Sequence, residues 1–178
     1  MSRIIVFILL LATSNGYAEI FKLAVTGETG IQFYWWPVLP DVEGWHHDRG
    51  SSIRYGINAQ APDGSTFSNA ETVIYAKAIF KPRAPKLKSL SDLIKNDHNQ
   101  FKARGIQILD EKPIYTADKK KLISYSFIPS RSGNWERVSY GEEGGFYLVF
   151  TISSRSEDGY TKHMNDYESF VARYKENP

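Results

Sequence analysis

One stretch decides the fold of this chain: Phe146-Tyr147-Leu148-Val149-Phe150-Thr151-Ile152. It is apolar at odd and even positions alike, so both faces of the strand that it predicts must be covered by other elements. The segment before it, Gly141 to Gly145, predicts a turn, because it is rich in glycine, which adopts positive φ angles without strain. Trp135 to Tyr140 predicts the preceding strand, and Ser154 to Tyr174 predicts a long helix with one apolar stripe. This unit is therefore expected to form the centre of the fold.

Composition excludes several classes of function. The 178 residues include 22 basic and 20 acidic side chains and no cysteine, with a net charge of +2. A near-neutral balance argues against a nucleic-acid partner. Without cysteine there is no disulfide, thiol nucleophile or thiolate metal site. No nucleophile, phosphate-loop, dinucleotide or zinc-protease motif occurs either, so no cofactor is expected.

The first eighteen residues have the pattern of a signal peptide. Arg3 supplies a positive charge, Ile4 to Ala12 is an apolar run, and Gly16-Tyr17-Ala18 places small residues before a cleavage site. The alternative, an uncleaved anchor, conflicts with the shortness of the run. We therefore predict cleavage after Ala18, a single domain over 19–178 with no transmembrane segment, and a periplasmic or secreted location in a bacterium.

The rest of the chain predicts mainly strands. A hairpin, three further strands and two short extended pieces are separated by turn residues, and Ser89 to Arg104 predicts a capped amphipathic helix that stops at Gly105. The predicted strands and pieces are Phe21–Val25, Ile31–Trp36, Ser51–Ala59, Thr72–Phe80, Ile106–Leu109, Ile114–Thr116 and Leu122–Ile128.

These elements predict an α+β fold. Successive strands with short turns favour a mostly antiparallel sheet. Strands that are apolar on both faces require a layer on each side, so we expect an α/β/α sandwich with two principal helices. The two helices either take one face each or share a face, with the N-terminal hairpin covering the other.

The order of elements resembles the PsbP-like family, named for an extrinsic subunit of photosystem II. The resemblance covers Glu19 to Tyr174 and is strongest in the turn Glu142-Glu143-Gly144-Gly145, the aromatic strand after it and the segment Tyr167 to Val171. It implies the PsbP-like sandwich and a non-catalytic binding or assembly role. The chain departs from the photosynthetic members at Trp35-Trp36-Pro37 and in the loop Trp45-His46-His47-Asp48, so no photosystem role is implied.

The segment Trp45-His46-His47-Asp48 is the most site-like cluster in the sequence. Imidazole and carboxylate groups suit Zn²⁺ or Cu²⁺, which makes His46, His47 and Asp48 weak candidates for metal ligands. Adjacent side chains on an extended segment point apart, however, and the usual ligand spacing is absent. The alternative is a polar loop that Trp45 anchors to the core, and no metal site is predicted.

Two other groups of residues are candidates for binding. Tyr34, Trp35 and Trp36 form either an aromatic platform for a sugar or peptide or part of the core on both sheet faces. The proline-rich loop after Phe80 carries basic side chains that either meet an anionic surface or are simply solvated. Its candidate residues are Lys81, Arg83 and Lys86.

Three functions remain open on these observations. The first is an exported, non-catalytic binding or assembly protein of the bacterial cell envelope, whose partner is an envelope protein or a small ligand. The second is a metal-dependent or hydrolytic periplasmic enzyme that uses Trp45 to Asp48. The third is a structural envelope protein that acts by self-association.

Overall fold

The computed structural model describes residues 20–27 and 30–175, and the predicted signal peptide lies outside them. Among these residues, nine strands form one antiparallel sheet. Seven of them follow the order β1-β2-β5-β9-β8-β7-β6, while β3 pairs with β4 and β4 also pairs with β5. The strands are β1 Ile20–Gly27, β2 Gly30–Pro37, β3 Trp45–His47, β4 Asn58–Pro62, β5 Thr72–Phe80, β6 Gln107–Tyr115, β7 Lys121–Ile128, β8 Trp135–Glu143 and β9 Phe146–Ser154.

Four α-helices and one 3₁₀ turn accompany the sheet within the described residues. None of these helices combines the length and the apolar character that crossing a bilayer requires. The helices are α1 Arg49–Tyr55, α2 Leu90–Ala103, α3 Glu157–Lys162 and α4 Met164–Ala172, and the 3₁₀ turn is Lys81–Arg83.

The predicted central strand is confirmed. β9 lies between β5 and β8, and its residues from Tyr147 to Ser154 are all buried. Alternate side chains of β9 enter two separate clusters. Leu148, Phe150 and Ile152 pack with α4, whereas Tyr147 and Val149 pack with α2. Both faces of this strand are thus covered, as its continuous apolar sequence requires.

The N-terminal hairpin and the α2 helix also follow the prediction. β1 and β2 pair along their length, from Ile20 opposite Pro37 to Gly27 opposite Gly30. The Ser89 hydroxyl accepts a hydrogen bond from the Asp92 N–H and caps α2, and Gly105 follows the helix at φ 72°. This cap satisfies one of the free N–H groups at the helix start.

The segment Ser51–Ala59 was predicted to be a strand, and this is wrong. The Asp48 carboxylate accepts a hydrogen bond from the Ser51 N–H and starts α1, while Gly56, in the left-handed region at φ 68°, ends it. The true strand, β4, begins only at Asn58. A local cap therefore outweighs the alternation of Ile53, Tyr55 and Ile57 that favoured a strand.

The helix predicted from Ser154 to Tyr174 is also wrong in its extent. Its N-cap is Ser156, and the helix is divided into α3 and α4 at His163. Ser154 instead lies in β9, opposite Thr72, and the two hydroxyls are hydrogen-bonded at 2.8 Å. The apolar stripe is real, because Tyr167, Phe170, Val171 and Tyr174 are all buried.

The predicted fold class must be corrected accordingly. Strands account for 44% and helices for 25% of the described residues, and the architecture is a β-rich sandwich with small helices rather than an α/β/α sandwich with two principal helices. The predicted long helix is two short ones, and the two short pieces around Asp110 are one nine-residue strand, β6. The PsbP-like resemblance itself stays a prediction.

Candidate functional site

The segment Trp45 to Asp48 is a short edge strand and not a free loop. β3 pairs with β4, with His46 opposite Ala61 and His47 opposite Gln60. Trp45 is 5% exposed and packs edge-on against the His163 ring, with centroids 5.3 Å apart. Because successive side chains in a strand point to opposite faces, His46 and His47 diverge. Trp45 therefore anchors this segment to the core, as the alternative interpretation of the sequence stated.

His47 has a structural partner inside the protein. Its Nε2 lies 2.8 Å from the Ser52 hydroxyl, and that hydroxyl also accepts a hydrogen bond from the Ala59 N–H. Burial lowers the pKa of His47, because the charged imidazolium is poorly solvated there. Ser52 is only 1% exposed, and its hydroxyl joins α1 to β3 through His47 and to β4 through Ala59.

Asp48 and His46 are engaged elsewhere. The Asp48 carboxylate accepts hydrogen bonds from the Ser51 N–H, the Ser51 hydroxyl and the Phe67 N–H, and these bonds lower its pKa, the Ser51 N–H most of all. His46 Nδ1 lies 3.5 Å from the exposed Asp63 carboxylate. Within residues 20–27 and 30–175, no group of three or more His, Cys, Asp or Glu side chains is placed to hold a metal ion.

The structure separates the aromatic residues of β2. Trp36 is 3% exposed and packs on Phe21 at a centroid distance of 4.9 Å, so it belongs to the core. Trp35 is half-buried and lies near Phe80 at 5.3 Å and Phe146 at 6.4 Å. Phe33, Tyr34 and Trp35 line an open cavity, and Trp36 is excluded from it.

The three basic residues after β5 also differ. Lys81 Nζ bonds the Glu142 carboxylate at 2.6 Å and the Gly144 carbonyl at 2.9 Å, so it ties the 3₁₀ turn to the β8–β9 hairpin. Lys86 is exposed and does not line the cavity. Arg83 does line it, and its guanidinium carbon lies 4.4 Å from the Phe33 ring centroid and 5.7 Å from that of Trp35.

Tyr34, Trp35 and Arg83 line the same open cavity, which has a volume of about 300 Å³ and which we name the basic cleft. Its charged side chains are both cationic, and cation–π contacts hold Arg83 against the aromatic wall. Lys22 Nζ lies 4.5 Å from the Phe33 ring centroid, beside the cleft. The residues that define the basic cleft are Phe33, Trp35, Tyr55, Lys77, Phe80 and Arg83.

The arrangement suits binding rather than covalent chemistry. Exposed rings stack on apolar or cyclic groups, and guanidinium donates to carboxylate, sulfate or phosphate. From the sequence, Trp35 and Arg83 were candidates, whereas Tyr55, Lys77 and Phe80 were missed. Tyr55 was assigned to a strand, and the strand pattern of β5 did not indicate that Lys77 and Phe80 border an opening.

No protein-family model matches the chain, and no curated protein sequence matches it.

Proposed function

We propose that this protein is an exported, non-catalytic binding protein of the bacterial cell envelope, and that the basic cleft holds a small anionic ligand with an apolar or cyclic body. The observation that carries the proposal is the position of Arg83, which covers Phe33 and Trp35 at the wall of an open cavity. Export and the envelope location are supported by the signal-peptide pattern of residues 1–18.

The charges around the cleft favour an anion. Lys77 and Arg83 both line it, and Lys22 stands against Phe33. An incoming carboxylate or sulfonate replaces water at Arg83 without breaking an ion pair, because the contacts of Arg83 within the described residues are with aromatic rings. A charge-assisted hydrogen bond can then add to the cation–π contact.

The size and shape of the cleft favour a small ligand over a protein surface. A volume of about 300 Å³ is at the lower end of small-molecule sites. The polar residues of Trp45–Asp48 have partners inside the protein, and these contacts give no support to the alternative of an enzyme that uses this segment.

A titration with naphthalenesulfonate tests the proposal, with the uncharged naphthalenemethanol as its control. The full chain is expressed with its own N-terminus and purified from the periplasmic fraction, where export predicts a mature chain that begins at Glu19. Quenching of tryptophan fluorescence, to which Trp35 in the cleft wall contributes, reports binding. We expect Arg83→Gln to weaken naphthalenesulfonate binding about tenfold.

Lys86→Gln is the matched control, because Lys86 is an exposed basic residue of the same loop that does not line the cleft. It is expected to change affinity less than about twofold. Equal binding of the sulfonate and the alcohol, or equal losses in the two variants, would show that the cleft does not select anions.

A further inference from the structure

A second open cavity, of about 430 Å³, adjoins the basic cleft. Tyr55 and Ile57 line both cavities. We name the second one the acidic pocket and define it by its aromatic and charged side chains. They are Tyr55, Phe67, Glu71, Tyr75, Glu136 and Arg155.

Three aromatic rings form a bent wall in the acidic pocket. The Tyr55 and Phe67 centroids lie 5.9 Å apart with an interplanar angle of 43°, and those of Phe67 and Tyr75 lie 6.0 Å apart at 76°. Rings set at such angles present their faces and edges to one open cavity. Aromatic faces attract cations through the ring quadrupole, most strongly where water is excluded.

A half-buried carboxylate completes the wall. Glu136 on β8 lies opposite Ser153 on β9, which lies opposite Val73 on β5, so the three side chains share one sheet face. The Ser153 hydroxyl donates to Glu136 Oε1 at 2.8 Å and accepts from Asn134 Nδ2 at 2.9 Å. The hydrogen bonds that fix the carboxylate beside the pocket come from neutral groups, while the positive charges of Arg104 and Lys77 act on it without a hydrogen bond.

The other charged groups at the pocket have partners of their own. Glu71 accepts a hydrogen bond from the Ser156 hydroxyl at 2.5 Å. Arg155 donates to the Ser68 carbonyl at 2.9 Å and is exposed. Arg54 lies over the Tyr55 ring at 5.4 Å, so this ring already has one cation of the protein as a neighbour. The lining itself carries two carboxylates and one guanidinium, and the cations that stand beside it are Arg54, Lys77 and Arg104.

We propose that the acidic pocket binds a small organic cation, of the quaternary or alkylated ammonium class, between Tyr55, Phe67 and Tyr75 and opposite Glu136. Methyl groups on nitrogen spread the charge over an apolar surface, which matches a wall of rings. The carboxylate then compensates the charge without the desolvation cost of a strongly hydrated ion. This assignment goes beyond the proposed function, because it concerns a second ligand of opposite charge.

The test is a titration of the isotope-labelled protein with choline, followed by amide chemical shifts in NMR spectra. Dimethylbutanol, in which carbon replaces the charged nitrogen, is the uncharged isostere. We expect choline to bind with a dissociation constant of about 1 mM and dimethylbutanol at least tenfold more weakly. Shifts are expected at residues around Phe67, Tyr75 and Glu136.

Glu136→Gln keeps the shape and the acceptor for Ser153 and removes the charge, so it should weaken choline binding about tenfold. Glu43→Gln, an exposed carboxylate away from the pocket, is the matched control and should leave binding unchanged. If Glu136→Gln disturbs the fold, Phe67→Leu gives an independent measurement with an expected loss of about fivefold.

Three outcomes overturn the assignment. The first is the absence of choline-dependent shifts up to about 20 mM, since binding that weak leaves no built site. The second is a choline affinity that neither Glu136→Gln nor Phe67→Leu changes, and the third is an equal affinity for dimethylbutanol. Arg83→Gln should leave choline binding unchanged, so the loss of one ligand without the other distinguishes failure here from failure of the proposed function.

Discussion

The basic cleft and the acidic pocket are neighbours with opposite chemistry. Both are open, both are walled by aromatic rings, and Tyr55 and Ile57 belong to both linings. The cleft carries Lys77 and Arg83, whereas the pocket carries Glu71 and Glu136 together with Arg155. Aromatic side chains thus supply contact area in each cavity, and the charged side chains determine which ligand each one selects.

The two cavities also differ in how their charges are held. Arg83 is exposed and rests on two rings, Phe33 and Trp35. Glu136 is half-buried and fixed by Ser153 on the neighbouring strand. Salt screens the attraction between an exposed charge and a ligand. A fixed and desolvated charge interacts with a ligand more strongly, and its desolvation shifts its pKa. The comparison therefore predicts different responses to mutation, pH and salt.

The largest effect is expected from a change in the wall that the cavities share. Gly56 ends α1 at φ 68°, and a Cβ at this position would lie 2.3 Å from Cδ1 of Tyr34. Gly56→Ala combines the cost of a left-handed alanine with a clash against a ring. We expect a loss of about 3 kcal/mol in the free energy of unfolding, measured by urea denaturation, and weaker binding in both cavities.

Gly64→Ala is the control for this prediction. Gly64 has φ 80°, and a Cβ there meets nothing within 4 Å. Its free energy of unfolding should fall by only about 1 kcal/mol, the cost of a left-handed alanine, and it should bind both ligands as the wild type does. Similar losses in the two variants would mean that Tyr34 moves aside freely and that the shared wall is not rigid.

A smaller effect separates the two cavities by pH. Burial is the main cause that raises the pKa of Glu136, while the hydrogen bond from Ser153 acts in the opposite direction. A carboxyl whose pKa is raised by folding favours the native state when protonated, and this contribution falls as pH rises through the unfolded and then the folded pKa. Wild type should therefore lose stability relative to Glu136→Gln between about pH 4 and pH 7.

Urea denaturation of both proteins at the two pH values measures that difference, with Glu43→Gln as a control for the loss of one charge. Choline binding should rise over the same interval as Glu136 ionises. Naphthalenesulfonate binding should stay level, because a sulfonate and a guanidinium group keep their charges over this pH range. A stability difference that is constant or grows with pH would contradict the environment assigned to Glu136.

The sequence was a good guide to the strands and a poor guide to where local hydrogen bonds intervene. Continuous apolar runs identified β5 and β9, because burial on both faces leaves a clear pattern. The error at Ser51–Ala59 arose from Asp48, whose side chain starts a helix where alternation favoured a strand. The division at His163 was equally hidden, since an apolar stripe records which residues are buried and not whether the helix is continuous.

The candidate sites were harder to predict than the fold. Arg83 and Trp35 could be named, because basic and aromatic residues near a proline-rich loop are visible in the sequence. Glu136, Phe67 and Tyr75 were not, since β8, β5 and a connecting segment bring them together only in the folded sheet. Trp45 to Asp48 shows the opposite error. Its composition resembles that of a site, but Trp45 packs in the core and Asp48 caps α1.

The smallest expected effect is the response of the two cavities to salt. At about 0.05 M salt the Debye length exceeds 10 Å, and at about 0.5 M it is near 4 Å, so the attraction of exposed charges for a ligand is strongly reduced. Arg83 is exposed, and we expect naphthalenesulfonate affinity to fall about threefold over this range. Glu136 is half-buried beside the aromatic wall and screened less, so choline affinity should fall less than about twofold. Fluorescence and NMR titrations at both salt concentrations measure these ratios. An equal salt response would mean that solvent reaches Arg83 and Glu136 equally. Glu136 would then not be desolvated, and the selectivity of the acidic pocket for an alkylated cation depends on that desolvation.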